Sequence, residues 1–98
     1  MTFGLPQDSL DAIKAILSNR PNIEEAIIYG SRAKGTHREG SDIDLTIKGC
    51  LSYRDMVKIS VCLDNLNLPW KIDLSLYEKI ENEALREHID KFGIRILG

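Results

Sequence analysis

The sequence has few cysteines, no long apolar run and no signal-peptide pattern. It contains only two cysteines, Cys50 and Cys62, whose surroundings match neither a metal-ligand motif nor a disulfide framework, so we expect two reduced, small apolar fillers. No apolar run approaches the ~20 residues that a membrane span needs, and residues 1–10 lack the charged and apolar regions of a signal peptide. These absences predict a cytoplasmic protein that does not enter a membrane.

Charge and length narrow the prediction further. The formal net charge is −2, which provides no basic field for nucleic acid, so direct nucleic-acid binding is not expected. A chain of 98 residues with 43% hydrophobic and 29% charged residues is typical of one small globular domain, and no repeat, low-complexity tract or linker divides residues 1–98. The core of such a domain is modest, so a partner could add stability.

Hydrophobic periodicity and helix-end signals predict alternating helices and strands. Helices are predicted over residues 6–19, about 52–65 and about 82–92, with a short helix around Arg32. Strands are predicted over 23–29, 42–48 and 69–77, and residues 92–98 either fray or form a short strand. Ser52 with Asp55 three residues later fits a capping box. The order favours an α/β fold of the α+β kind, with helices packed on a small mixed β-sheet and a site at one strand end.

The stretch over residues 27–45, IIYGSRAKGTHREGSDIDL, begins with a glycine turn. An apolar strand pattern breaks at Gly30, where a missing side chain lets backbone N–H groups approach an anion, and Ser31 adds a hydroxyl where a helical turn could begin. Arg32 and Lys34 add positive charge. A phosphate fits these surroundings. The alternatives are a plain strand-ending turn and, for the two basic residues, surface positions.

The same stretch ends in paired carboxylates. The strand period of two sends Asp42 and Asp44 to one face, where two like charges repel unless a cation bridges them. Hard oxygen ligands suit Mg²⁺ or Mn²⁺, and Asp73, in the later alternating segment 70–76, is the candidate for a third carboxylate. The alternative is a solvated polar face on an edge strand. The three tyrosines are expected to pack in the core or at its rim.

These motifs resemble a known signature. GSRAKG followed by SDIDL, with Asp73 in LPWKIDL, resembles the DNA polymerase beta-like nucleotidyltransferase superfamily, which carries Gly-Ser, a short gap, Asp-x-Asp and a third Asp on a later strand. The short chain also resembles the minimal nucleotidyltransferases, small domains often encoded beside a HEPN-domain protein as a toxin and antitoxin pair. The resemblance covers residues 23–76 and implies the nucleotidyltransferase fold.

The resemblance also implies a reaction, in which a nucleoside monophosphate, most simply AMP from ATP, passes to a hydroxyl acceptor while pyrophosphate leaves. Two Mg²⁺ ions would assist it. In that scheme the metal-binding and catalytic residues are Asp42, Asp44 and Asp73. The residues that contact the nucleoside triphosphate are Gly30, Ser31, Arg32 and Lys34.

A second protein is expected to supply the acceptor, since the minimal family lacks the domains with which larger relatives hold theirs. The resemblance implies a HEPN-domain partner that receives AMP on a tyrosine or is simply held inactive. Val57 and Val61 widen the apolar stripe of helix 52–65 and suggest a docking surface. The alternative function is a nucleotide-binding antitoxin or regulatory subunit that neutralises its partner without turnover. Self-association, the base and the acceptor stay open.

Overall fold

The computed structural model describes residues 3–98, and the predicted fold class is confirmed. The helices within these residues are α1 (Gln7–Ser18), α2 (Ser31–Lys34), α3 (Tyr53–Asp64) and α4 (Glu83–Phe92). The strands are β1 (Ile23–Tyr29), β2 (Ile43–Gly49), β3 (Ile72–Leu76) and β4 (Ile94–Leu97), and a 3₁₀ turn (Tyr77–Lys79) follows β3.

The strands form a mixed four-stranded sheet in the order β3-β2-β1-β4. β2 and β3 are parallel, whereas β1 is antiparallel to both β2 and β4. The C-terminal segment therefore forms a strand, which was one of the two alternatives left open by the sequence. β1 is central and its last four residues, Ala26 to Tyr29, are buried, as expected for a strand covered on both faces.

Helices cover the two faces of the sheet unequally. α1 and α3 pack on one face and supply most of the core with β1 and β2; its buried residues include Ile13, Leu17, Ile28, Leu45 and Ile59. α4 packs on the other face, where Ile89 contacts a smaller cluster with Ile27 and Tyr29 of β1. Because α4 covers only part of that face, polar side chains of β2 and β3 can lie beside it.

The predicted helix ends agree with the structure where the signal is local. The Ser52 hydroxyl accepts the Asp55 N–H at 3.1 Å and the Asp55 carboxylate accepts the Ser52 N–H at 2.9 Å, which confirms the capping box. Strand limits agree less well, since β2 begins at Ile43, one residue later than predicted, and β3 is shorter than 69–77. Asp42 consequently lies just ahead of β2.

Cys50 and Cys62 are both free thiols, as expected, but only one has the predicted environment. Cys62 is partly buried in α3, whereas Cys50 is exposed and fills no apolar space. None of the helices in residues 3–98 has the length and apolar character that a bilayer crossing requires.

Candidate active site

Three strands meet at the end of the sheet where β1 finishes and β2 and β3 begin. Tyr29 pairs with Asp44 across the antiparallel strands, and Asp44 pairs with Asp73 across the parallel strands. Residues that are directly paired point to the same face of a sheet. Tyr29, Asp44 and Asp73 therefore form one row, on the face that α4 partly covers.

The three predicted carboxylates differ in exposure and interact electrostatically. Asp44 is half-buried, whereas Asp42 and Asp73 are exposed. Burial raises the pKa of Asp44, and the negative charges of Asp73 and Asp42 raise it further. The fold thus brings the three acids to one end of the sheet. Among residues 3–98, however, no three His, Cys, Asp or Glu side chains are grouped closely enough to hold a metal ion.

Gly30 has a conformation that requires glycine. Its φ of 76° and ψ of −154° lie in a region that residues with a Cβ rarely adopt. A Cβ there would also collide with Oδ2 of Asp44, so the carboxylate packs directly over the Gly30 Cα. The absent side chain at this position leaves room for the acid as well as for the turn.

The backbone N–H of Gly30 is used differently from the prediction. It donates to Nε2 of His88 at 3.1 Å and is not directed at an open anion site. The first helical hydrogen bond of α2 runs from the Lys34 N–H to the Gly30 carbonyl at 3.1 Å. The N–H groups of Ser31, Arg32 and Ala33 precede that bond, so they are the ones that the turn can offer to a phosphate.

Arg32 is a correction to the predicted phosphate contacts. Only 3% of its surface is exposed. Its Nε and Nη2 donate to the Ser41 carbonyl at 3.1 and 2.7 Å, Nη1 donates to the Phe3 carbonyl at 2.8 Å, and the guanidinium lies 5.6 Å from the Trp70 ring centroid. Arg32 therefore ties the loop before β2 to the N-terminal segment. A guanidinium committed in this way is not available to a nucleotide.

Lys34, in contrast, stays exposed at the end of α2. Its Nζ lies 4.8 Å from the centroid of the Phe92 ring on α4, a distance typical of a cation–π contact. This contact holds the ammonium near the turn without removing it from solvent. Of the two basic residues in the motif, Lys34 is the one that can still reach a phosphate.

Two residues at the site were not predicted to have a role there. Tyr29 is 8% exposed, and burial raises its pKa, with the charges of Asp44 and Asp73 adding to the effect. The imidazole of His88 contacts the Tyr29 ring edge-on, with the centroids 6.3 Å apart. His88 lies three residues after Leu85 and four before Phe92, so its position on the apolar stripe of α4 could have indicated an inward side chain.

Comparison with known proteins identifies related folds. A chain of a toxin–antitoxin complex solved with AMP-PNP superimposes with a TM-score of 0.73 at 21% identity, covering 91% of this chain and 73% of the other. A chain of the MntA–HepT toxin–antitoxin complex gives 0.70 at 17% identity, covering 95% and 73%. A chain from a tri-AMPylated Shewanella oneidensis HEPN toxin in complex with its MNT antitoxin gives 0.69 at 18% identity, covering 94% and 71%. At these identities the likeness shows a shared fold.

Sequence comparison with curated proteins yields no match. A family model, in contrast, matches nearly the whole chain, from residue 11 to residue 98, and its description is "Polymerase beta, Nucleotidyltransferase". The matched segment contains the glycine turn and the three acids, as the motif resemblance predicted. The chain belongs to the polymerase beta-type nucleotidyltransferase family.

Proposed function

We propose that this protein is a Mg²⁺-dependent nucleotidyltransferase that transfers AMP from ATP to a hydroxyl group of a HEPN-domain partner and thereby acts as an antitoxin. The observation that carries the proposal is the position of Asp44. Its carboxylate packs against the Gly30 turn on one side and is in register with Asp73 on the other. A nucleotide held by the turn would thus have its phosphates beside the acids.

The donors fit Mg²⁺ in kind: no three of the described side chains are grouped closely enough to hold an ion alone, but Mg²⁺ is commonly held by one or two carboxylates together with substrate phosphates. Carboxylate oxygens are hard ligands, and Asp42, Asp44 and Asp73 lie at the same end of the sheet with mutually repelling charges. A divalent cation would relieve that repulsion and favour the ionised form of Asp44. When bound, two Mg²⁺ ions would neutralise charge on the phosphates and lower the pKa of the acceptor hydroxyl. Asp42, Asp44 and Asp73 are the residues that would hold these ions.

The remaining residues would bind and orient the substrates. The Ser31 hydroxyl, the first N–H groups of α2 and the Lys34 ammonium would hold the β- and γ-phosphates. Asp73, exposed beside the half-buried Asp44, would accept the proton of the incoming hydroxyl. The acceptor oxygen then forms a bond to the α-phosphorus, the bond from that phosphorus to the bridging oxygen breaks, and pyrophosphate leaves.

Helix α3 is the proposed docking surface for the partner. Tyr53 is 86% exposed, Val57 42% and Val61 51%, which leaves an apolar strip on the outer side of the helix. The similar chain in a complex with a tri-AMPylated HEPN toxin supports the choice of partner and of modification. α3 packs on the sheet face opposite Asp73, so a partner docked on α3 would have to extend around the edge strand β3 to present its hydroxyl at Asp73.

A second candidate function is a nucleotide-binding antitoxin that covers its partner without turnover. The similar toxin–antitoxin complex solved with AMP-PNP supports nucleotide binding and is equally compatible with this alternative. Both candidates bind ATP and the partner. They differ in pyrophosphate release, which only the enzyme produces.

The test is incubation with ATP labelled at the α-phosphate and Mg²⁺, with and without the product of the neighbouring gene as the proposed HEPN-domain partner. We expect label on the partner, lost in D42N and D44N and retained in D11N, which removes an exposed charge on α1 far along the chain from the motif. A folded D42N that still transfers label would refute the catalytic scheme. ATP binding and partner binding without label transfer would favour the second candidate.

A further inference from the structure

The turn that begins α2 is held by a residue distant in the sequence. The Gly30 N–H donates to Nε2 of His88 at 3.1 Å, across 58 positions of the chain. An imidazole nitrogen accepts a hydrogen bond only through its lone pair, so Nε2 is unprotonated and the ring proton is on Nδ1. The hydrogen bond therefore links α4 to the first residue of the glycine turn through one defined tautomer.

Aromatic contacts fix the orientation of the His88 ring. The Tyr29 ring lies edge-on to it, with ring centroids 6.3 Å apart and an interplanar angle of 74°. The Phe92 ring, four residues later on α4, lies with its centroid 5.4 Å away and tilted by 44°. Phe92 in turn lies under the Lys34 ammonium at 4.8 Å. Both ends of the four-residue helix α2 thus rest on α4, Gly30 through a hydrogen bond and Lys34 through a cation–π contact.

The turn needs such support because glycine does not hold its own conformation. Gly30 has no side chain to restrict φ and ψ, and its conformation is one of several that glycine adopts at little cost. Asp44 bounds it on one side by contact of the carboxylate with the Cα. The His88 hydrogen bond supplies a directional restraint, which packing alone does not.

We infer that His88 is a positioning residue for the nucleotide-binding turn: it fixes the Gly30 peptide so that the following N–H groups and the Ser31 hydroxyl face the phosphates. This inference rests on the proposed function for the use of the turn, but the hydrogen bond itself does not. His88 acts through Gly30 and contacts no substrate. Its effect belongs to nucleotide binding more than to the chemical step.

Two amide substitutions make a matched test. In H88Q the side-chain oxygen is separated from Cα by the same number of bonds as Nε2 of histidine, so it can accept the Gly30 N–H. In H88N the oxygen takes the position of Nδ1 and is too short to reach that N–H. Both variants lose the ring and its aromatic contacts equally. We expect H88N to weaken Mg–ATP binding about 3- to 10-fold, the value of one neutral hydrogen bond, and H88Q to recover most of that loss. The KM for ATP should change more than kcat.

Amide hydrogen exchange at Gly30 provides a readout that needs no nucleotide. In the full-length chain we expect Gly30 to be protected in the wild type and in H88Q and to exchange faster in H88N, while amides in β2 stay unchanged. Equal Gly30 exchange in H88N and H88Q would overturn the inference. So would equal ATP affinity of the two variants when the wild type binds ATP. A wild-type chain that binds no Mg–ATP would refute the proposed function instead, and the exchange comparison would still decide whether His88 holds the turn.

Discussion

Gly30→Ala tests the close packing of the turn against Asp44. At φ 76° and ψ −154° an alanine is strained by about 1–3 kcal/mol. The new Cβ also displaces the Asp44 carboxylate, which must leave its rotamer at a further cost of about 0.5–1.5 kcal/mol. We expect the free energy of unfolding to fall by about 2–4 kcal/mol, which is a large fraction of the stability of a small domain. Urea denaturation measures it.

Gly35→Ala is the matched control for that substitution. Gly35 also has a positive φ, 78°, but its ψ of 12° is in the left-handed helical region and a Cβ there meets no atom within 4 Å. We expect a loss of only about 1 kcal/mol. G30A should lower the free energy of unfolding less in the D44A background than in the wild type, because D44A has no carboxylate for the new Cβ to meet.

The functional effect of Gly30→Ala should exceed its effect on stability. A carboxylate displaced by about 1 Å can lower a rate about 100-fold, so AMP transfer should be almost lost while the variant remains folded. The close packing of Gly30 against Asp44 is refuted if G30A and G35A have the same free energy of unfolding. It is equally refuted if the cost of G30A is unchanged in the D44A background.

Three further predictions concern charge, a buried cation and a helix cap. Burial and neighbouring acids raise the pKa of Asp44, so without metal the free energy of unfolding should fall as pH rises from 3.8 through the raised pKa. D44N should lack this loss of stability. Equal urea midpoints of the wild type and D44N at neutral pH would contradict the prediction. Arg32→Ala should lower the free energy of unfolding by about 2–4 kcal/mol, measured by urea denaturation, because it removes three hydrogen bonds of a buried cation. Lys34→Ala should lower it by less than about 1 kcal/mol, because that side chain makes only an exposed cation–π contact. The opposite order would contradict a structural role for Arg32 and an exposed one for Lys34. Ser52→Ala should cost about 1 kcal/mol through loss of the cap, and an unchanged midpoint would show that the capping box contributes nothing.

Features that depend on neighbouring residues were predicted well. β1 ends where predicted because the apolar run of residues 26–29 stops at Gly30, and the Ser52 cap needs only residues three positions apart. β4 was left open because a four-residue segment acquires strand structure only by pairing with β1. Asp44 and Asp73 lie opposite each other for a similar reason: the parallel register of β2 and β3 is set by packing of the whole sheet and cannot be read from either strand.

The basic residues of the glycine motif show another limit of sequence interpretation. Arg32 and Lys34 are two positions apart and equally charged. Arg32 is buried with its guanidinium over the Trp70 ring, whereas Lys34 is exposed with its ammonium over the Phe92 ring. Sequence specifies the charge but not the side of a short helix on which each side chain lies. The carbonyls of Ser41 and Phe3, which use the Arg32 donors, become neighbours only through tertiary folding.

The candidate site holds the Gly30 turn in one conformation and places Asp44 where its charge is unfavourable. Gly30 lies between the Asp44 carboxylate and the His88 imidazole, so the turn is fixed from two directions before any ligand binds. Asp44, in contrast, is held where burial and two like charges disfavour its ionised form. An isolated domain would be more stable with a neutral residue there, as D44N should be. A carboxylate held at a cost in stability is consistent with the proposed cation site, so D44N should raise the free energy of unfolding while it abolishes the proposed transfer.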